Sequence, residues 1–385
     1  MPPADKKVNA TCVAETDHAY VYVATDSWTA GKMTQAQVDT IVDAFEKSTP
    51  ADKTRGIYAT DTDTFGAPPD VDNDPHIYLV YYPMGSFKGT NFDGYFRDTD
   101  ESAGTGSNQL EMLHLNSEGQ FKPDSDYMLG VVIHEFVHLI NWKYDKGEEG
   151  WLNEALAESA MTLGGYMTDL PAGKQYVNST AATPLCVTGY SDYGATFSWG
   201  SYMLDRWGTS FLADVLQDPA HGIPSIEAHM PAGTTFRDAF GDFMVANLLD
   251  QPSIGDGRYG YTSFDQSALG SQPVSTIDGA DHASNAVAWG ARMLRFTPSS
   301  AGTLSVTLDS ADFANLVVST VVLDPAHASG ATVTPETLSA QSTQLDIQVT
   351  AGQVAYVVVA VDAGASVDST QAAKTSFTYN ATLTP

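Results

Sequence analysis

Asp126-Tyr-Met-Leu-Gly-Val-Val-Ile-His134-Glu135-Phe-Val-His138-Leu-Ile-Asn-Trp-Lys-Tyr144 carries apolar residues at Met128, Leu129, Val131, Val132, Ile133, Phe136, Val137, Leu139, Ile140 and Trp142. On a helical wheel these lie all round, which predicts a buried helix over 126–144. Set into it is an HExxH pattern, whose i, i+4 spacing puts the imidazoles of His134 and His138 on one face with Glu135 beside them, where they can share a metal. Two histidines and a glutamate satisfied by core neighbours would give the same five letters. Three ionisable groups on an all-round apolar helix, however, need specific partners to offset their desolvation, and a divalent metal is the least costly partner.

Working outward, the polar turn Lys146-Gly-Glu-Glu-Gly150 precedes a second helical pattern over 151–166, through Leu152, Ala155, Leu156, Ala160 and Leu163, and further ones run over 194–217 and 235–249. The middle of the chain therefore reads as mainly α. Upstream, 18–25 alternates like a strand, 34–47 has helical spacing, and 76–82 is a strand that ends at Pro83. Residues 84–108 are loop-like, and 109–116 alternates again as an edge strand along which an extended peptide could pair, or as a plain sheet strand. Past residue 275 the chain turns to short Val- and Thr-rich runs (301–308, 315–323, 344–349, 354–361, 376–383) between Gly, Asp, Pro and Ser turns, the pattern of a β-sandwich.

A zinc site needs a third protein ligand. The metzincin pattern places a glycine three positions and a histidine six positions after the second histidine; Asn141 and Tyr144 stand there, which excludes that class. Trp151-Leu-Asn153-Glu154-Ala-Leu-Ala-Glu158 resembles the thermolysin-like gluzincins, whose third ligand is the glutamate of an Asn-Glu pair on the next helix, with an acidic residue four positions on. The resemblance implies Glu154 as the ligand and Glu158 as the group that orients His134 through its other ring nitrogen. His134-Glu-Phe-Val-His-Leu-Ile-Asn-Trp142 with Trp151-Leu-Asn-Glu154 is more closely similar to the hyicolysin family of exported bacterial zinc metallopeptidases. Gly94-Tyr-Phe96, Ser107–Asn116 and Thr235–Phe243 are similar to blocks around that core, so the likeness covers residues 70 to 250 or so. Ala301–Val306 and Phe377–Leu383 look like the first and last strands of sandwich modules appended to exported bacterial proteases. The expected fold is α+β: a thermolysin-like zincin catalytic domain over 1–270, with a small sheet and a mainly α-helical lobe, then an all-β sandwich domain over 271–385.

The resemblance also implies a chemistry. Zinc on His134, His138 and Glu154 keeps an open position for water and lowers its pKa toward about 7, and Glu135 is the general base. A gluzincin needs a Tyr or His for the developing oxyanion. Gly189-Tyr190-Ser-Asp-Tyr193-Gly194 looks like the tyrosine-glycine stretch that opens a later gluzincin helix, with Tyr193 the first choice and Tyr190 the second; either could simply pack with its hydroxyl exposed. His221 and His229 are weaker candidates in probable loop sequence, and His114 reads as packed or solvated. Asp70, Asp72 and Asp74 alternate like the head of a calcium loop, but Pro75 and Tyr81 occupy the sixth and twelfth positions, so this is no EF-hand. Calcium stands there beside the reading of an acidic solvated turn.

Composition bounds the partners. The 385 residues hold 18 Lys plus Arg against 47 Asp plus Glu, a formal charge of −29, so no basic patch is available to displace counterions from nucleic acid. An anionic membrane surface is disfavoured on the same ground, and no apolar run approaches the roughly 18 residues of a span. The first residues lack the apolar core of a secretory leader, yet few Lys, many Thr, Ser, Asp and Gly and only two cysteines suit an exported protein whose leader is not part of this sequence. Cys12 and Cys186 are expected either as one disulfide or as two free thiols. The leading expectation is a secreted zinc endopeptidase acting on protein or peptide, with a C-terminal domain that holds a surface or substrate. The alternative is a non-catalytic binding or adhesion protein on a zincin scaffold. The substrate-anchoring stretch of aminopeptidases of this clan is not visible.

Overall fold

The computed structural model describes residues 7–87, 90–167, 171–189 and 191–385. Strands β1 (Ala10–Glu15) and β2 (Ala19–Ala24) pair antiparallel and lead through α1 (Thr25–Thr29) to α2 (Gln35–Glu46). Thr34 and Gln37 form a reciprocal cap at the start of α2, satisfying amides that the first helical turn leaves open. Its buried residues Val38, Ile41, Ala44 and Phe45 follow helical spacing. Next comes α3 (Ile57–Phe65), which periodicity does not reveal because Thr60, Asp61 and Thr64 interrupt its buried face.

The chain continues with β3 (Ile77–Tyr82), the two-residue strands β4 (Ser86–Phe87) and β5 (Thr90–Asn91), β6 (Gly94–Phe96), a 3-10 turn over Asp98–Glu101, and β7 (Met112–Asn116). One sheet runs in the order β1-β2-β3-β7-β6, with β2, β3 and β7 parallel and the outer strands β1 and β6 antiparallel to their neighbours. The strand expected over 109–116 exists as β7, but it is interior. The edge is β6, formed by a segment that reads as loop, and all five residues of β7 are buried.

Helix α4 (Asp126–Tyr144) opens where the Ser125 hydroxyl accepts the Met128 amide, with Asp126 in its first turn favoured by the helix dipole. Phe136 is its inward anchor, with ring centroids 5.7 Å from both Tyr58 and Phe45. Then follow α5 (Gly150–Leu163), α6 (Pro171–Val177), α7 (Tyr193–Gln217), α8 (Ile223–His229) and α9 (Phe236–Leu249). Helical geometry breaks inside α7 at Gly208, where φ is 80°. No helix among the described residues is long and apolar enough to cross a membrane.

The remaining strands are β8 (Asp281–Val287), β9 (Ala291–Phe296), β10 (Gly302–Asp309), β11 (Leu316–Asp324), β12 (His327–Glu336), β13 (Ser342–Val349), β14 (Val354–Val361) and β15 (Lys374–Thr384). They form two four-stranded sheets, β13-β10-β15-β8 and β12-β11-β14-β9, which share a core that includes Leu304, Val306, Val318, Val357 and Phe377.

This architecture corrects the expected fold class. A five-stranded sheet and two four-stranded sheets dominate, and no thermolysin-like helical lobe stands apart from them. Contacts gather the described residues of Met1–Glu148, Leu156–Thr168 and Trp207–Pro219 into one unit and those of Glu149–Ala155, Asp169–Arg206 and Ala220–Pro385 into another. The physical reason is visible in α9, which is buried on nearly every face and needs more cover than neighbouring helices supply. Within the second unit, Phe236 and Phe240 each close edge-on over Trp289 at 5.2 Å, Arg237 bonds Asp362 at 2.8 Å, and Gly241 lies so close to Val317 of β11 that a Cβ there would come within 2.7 Å of it. Within the second unit, the last of the helices that read as a lobe, α9, is packed on the C-terminal sheets. Cys12 is exposed, Cys186 is buried, and both are free thiols, so the disulfide does not form.

Candidate metal centre

The pitch of α4 does what the HExxH spacing requires. His134 and His138 project from successive turns with their Nε2 atoms 3.0 Å apart and their rings nearly perpendicular, centroids 4.7 Å apart. Two nitrogens each about 2.0–2.1 Å from a tetrahedral zinc would lie roughly 3.4 Å from one another, so the pair is already near bite distance. A carboxylate oxygen of Glu154 joins them, with the three ligand atoms all within 4.8 Å of one another. Two imidazoles and one carboxylate are the donor set that zinc takes in catalytic sites, and the residues present fit the ion.

Glu158 lies one turn beyond Glu154 on α5 and is buried; its Oε1 stands 3.9 Å from Nδ1 of His134. A carboxylate on that side favours the tautomer that carries its proton on Nδ1 and keeps Nε2 for a metal. The start of α5 is fixed from within the second unit, where the indole N–H of the fully buried Trp151 donates to Glu149 at 2.7 Å and to Ser366 at 3.1 Å.

Glu135 faces the sheet. Its Oε2 accepts the backbone N–H of Phe96 at 2.8 Å, a bond from the edge strand that periodicity could not reveal. The approach depends on Gly94, where a Cβ would meet Val131 at 2.5 Å and the Glu135 side chain at 3.3 Å. The Gly94-Tyr-Phe96 block was the available signal, and its role here is to bring a backbone amide to the glutamate.

Behind His134, sequence reading also missed Asp61 of α3. It is fully buried, burial pushes its carboxyl well above the usual carboxylate range, and the charge of His134 opposes that shift. Tyr127, two turns before His134 on α4, donates to Asp93 at 3.0 Å, and burial, reinforced by Asp93, pushes its phenol up.

Tyr193 opens α7 in the second unit with 44% of its surface exposed, and Tyr190 lies outside the described residues. His221 is in coil and His229 ends α8. His114 is packed, as expected: it stacks on Tyr95 at 4.5 Å and pairs with Asp100 at 2.8 Å. Asp74 turns away from Asp70 and Asp72, bonding His76 and accepting Tyr20 at 3.0 Å, while Glu111, which sequence reading did not connect with them, closes with Asp70 and Asp72 into a second group.

No family model matches the sequence, and no curated protein matches it. Among solved structures, the pre-peptidase C-terminal domain of a collagenase from Bacillus anthracis aligns with 29% of this chain and 97% of its own, at 9% identity and a TM-score of 0.20. Aminopeptidase A of Legionella pneumophila, in complex with aspartic acid, aligns with 89% of this chain and 35% of its own, at 14% identity and a TM-score of 0.38. Likenesses this slight carry no argument about fold or activity.

Proposed function

We propose that the protein is a zinc-dependent endopeptidase, exported from the cell, that hydrolyses peptide bonds of protein substrates. The observation that carries this reading is the convergence of His134, His138 and Glu154 beside a glutamate whose carboxylate is held by a backbone amide. The likeness of 134–142 and 151–154 to hyicolysin peptidases supports it. Zinc, when bound, supplies Lewis acidity to a water molecule and to the scissile carbonyl.

The chain's own residues account for the rest. Glu135 takes the proton of the attacking water and returns it to the leaving amine. The Phe96 N–H fixes Oε2 of Glu135, so the carboxylate presents its second oxygen in a set direction. Strand β6 is an open sheet edge beside that carboxylate, and a peptide laid along it in extended form would bring its backbone to the glutamate. Tyr193 remains the proposed oxyanion donor. The test is digestion of an unfolded protein by zinc-loaded wild type and Glu135→Gln, with zinc counted in both. Cleavage by wild type and a loss of about 10²–10⁴-fold in the variant at equal zinc content is the expected result. Equal zinc with cleavage by neither would make this a binding protein on a peptidase-like metal site.

A further inference from the structure

A second group of ionisable side chains lies in the first unit on residues the peptidase chemistry does not use. Asp70 and Asp72 precede β3, Glu111 precedes β7, and one carboxylate oxygen from each falls within 4.8 Å of the others. Oxygens bound to one calcium at about 2.4 Å span at most about 4.8 Å, so the group has the dimensions of a calcium shell. Glu111 is 1% exposed; its Oε1 accepts the Val71 amide, and its Oε2, buried, has no hydrogen-bond partner.

Glu101, at the end of the 3-10 turn, supplies the independent sign. It is 5% exposed, both carboxylate oxygens are shut off from water, and the Met112 backbone is the one neighbour that favours its charge. Burial, then the charges of Glu111 and Asp100, push it up to about 8, with Asp72 adding and the Met112 backbone opposing. Its neighbour Asp100 shows what a satisfied acid looks like here, with His114 at 2.8 Å, Arg97 at 3.2 Å and two donors from Asn108. Among the described residues, no Lys, Arg or His comes within ion-pairing distance of Asp70, Asp72, Glu101 or Glu111. Three carboxylates within one ion's reach, with a fourth buried near them and no cation, is an arrangement that folding disfavours strongly unless something positive enters.

We propose that Asp70, Asp72 and Glu111 form a calcium site, with the buried Glu101 beside it as an acid whose charge the ion offsets. All-oxygen, anionic and irregular, the group suits calcium, whereas magnesium demands near-octahedral geometry and keeps most of its water. Asp72 retains capacity for the ion: its oxygens accept the Asp74 amide at 2.9 Å and the Tyr78 hydroxyl at 3.0 Å, and a carboxylate offers about four lone-pair sites. The ion would tie the segment before β3 to the segment before β7, where the Tyr78 amide already bonds the Glu111 carbonyl at 2.8 Å. It would thereby steady β7, which carries β6.

The test uses the full chain with zinc present and calcium removed by a chelating resin. Calcium at 5 mM is expected to raise Tm by about 2–5 °C, and terbium added in its place is expected to give emission excited through Tyr78. Glu101→Gln is expected to raise Tm in the absence of calcium, because the cost of burying an acid that must take up a proton or stay charged is gone, and to cut the calcium shift by more than half. Asp70→Asn, at an exposed position, should cut the shift without that gain and keeps the test open if the first variant misfolds. No calcium shift and no terbium emission would overturn the proposal. So would a shift that both variants retain, which would put the ion elsewhere, or an equal shift with magnesium.

Discussion

In the histidine cluster, two ligands come from successive turns of α4 and the third from α5, with Glu158 one turn further on, so helix pitch alone sets most distances. In the carboxylate cluster, three side chains come from two segments forty residues apart, before β3 and before β7, and the pairing of β3 with β7 brings them together. The first site can keep its shape without a metal, because α4 is anchored on a hydrophobic core. The second gathers like charges, and its shape without a cation works against itself. The two should therefore respond differently to metal removal, one in chemistry and the other in stability.

The largest expected effect tests that split directly. Stripping zinc with phenanthroline should bring proteolysis of unfolded casein to background, and zinc should restore it while calcium does not. Restoration by calcium would erase the distinction between nitrogen-bearing and all-oxygen sites. Next in size is the anchor under the helix. Phe136 is fully buried between Phe45 and Tyr58, and Phe136→Ala should cost about 3–5 kcal/mol in urea unfolding. A cost under 1 kcal/mol would mean that α4 is not held by this core and that its histidines are not preset.

The same contrast decides what could be read from sequence. His134, Glu135 and His138 were legible because helical spacing converts letters into positions, and Glu154 and Glu158 came from the resemblance of 151–158 to gluzincins, with spacing putting them on one face. Glu101 and Glu111 were not, since nothing local tells which strand lies beside which. The alternation of 109–116 revealed a strand, but its interior place depended on β6, three residues long within a Gly- and Asp-rich stretch. Asp-x-Asp-x-Asp at 70–74 read as the head of a local loop, but Asp74 is drawn off by His76 and Tyr20. The expected helical lobe failed similarly: periodicity identified the helix over 236–249, but an all-round apolar helix does not say whether helices or sheets cover it.

Two smaller effects sharpen the account of the helix site. Phe96→Pro removes the N–H given to Glu135 while leaving an edge strand, where proline is tolerated. A hydrogen bond to a charged group is worth about 1.5–3 kcal/mol, so kcat should fall at least about 10-fold with zinc content unchanged. A variant with full kcat would show that Glu135 needs no such restraint. Glu158→Gln keeps the shape beside Nδ1 of His134 but weakens its hold, and zinc affinity should fall by roughly 10–100-fold in competition with a chromogenic chelator.

The smallest expected effect is on calcium binding in Asp74→Asn. Asparagine keeps one acceptor, for the His76 amide, and the Tyr20 hydroxyl at the other position can turn to accept from the new side-chain N–H, so the fold around β3 should persist with only a modest change in Tm. If the cation is held by the group that strand pairing assembles, the calcium shift in this variant equals that of wild type, while Asp70→Asn loses it, although both positions belong to the same alternating run. If Asp74→Asn abolishes the shift instead, the ion sits in the local loop, Glu101 and Glu111 are bystanders, and the carboxylate cluster would be as local in origin as the histidine one.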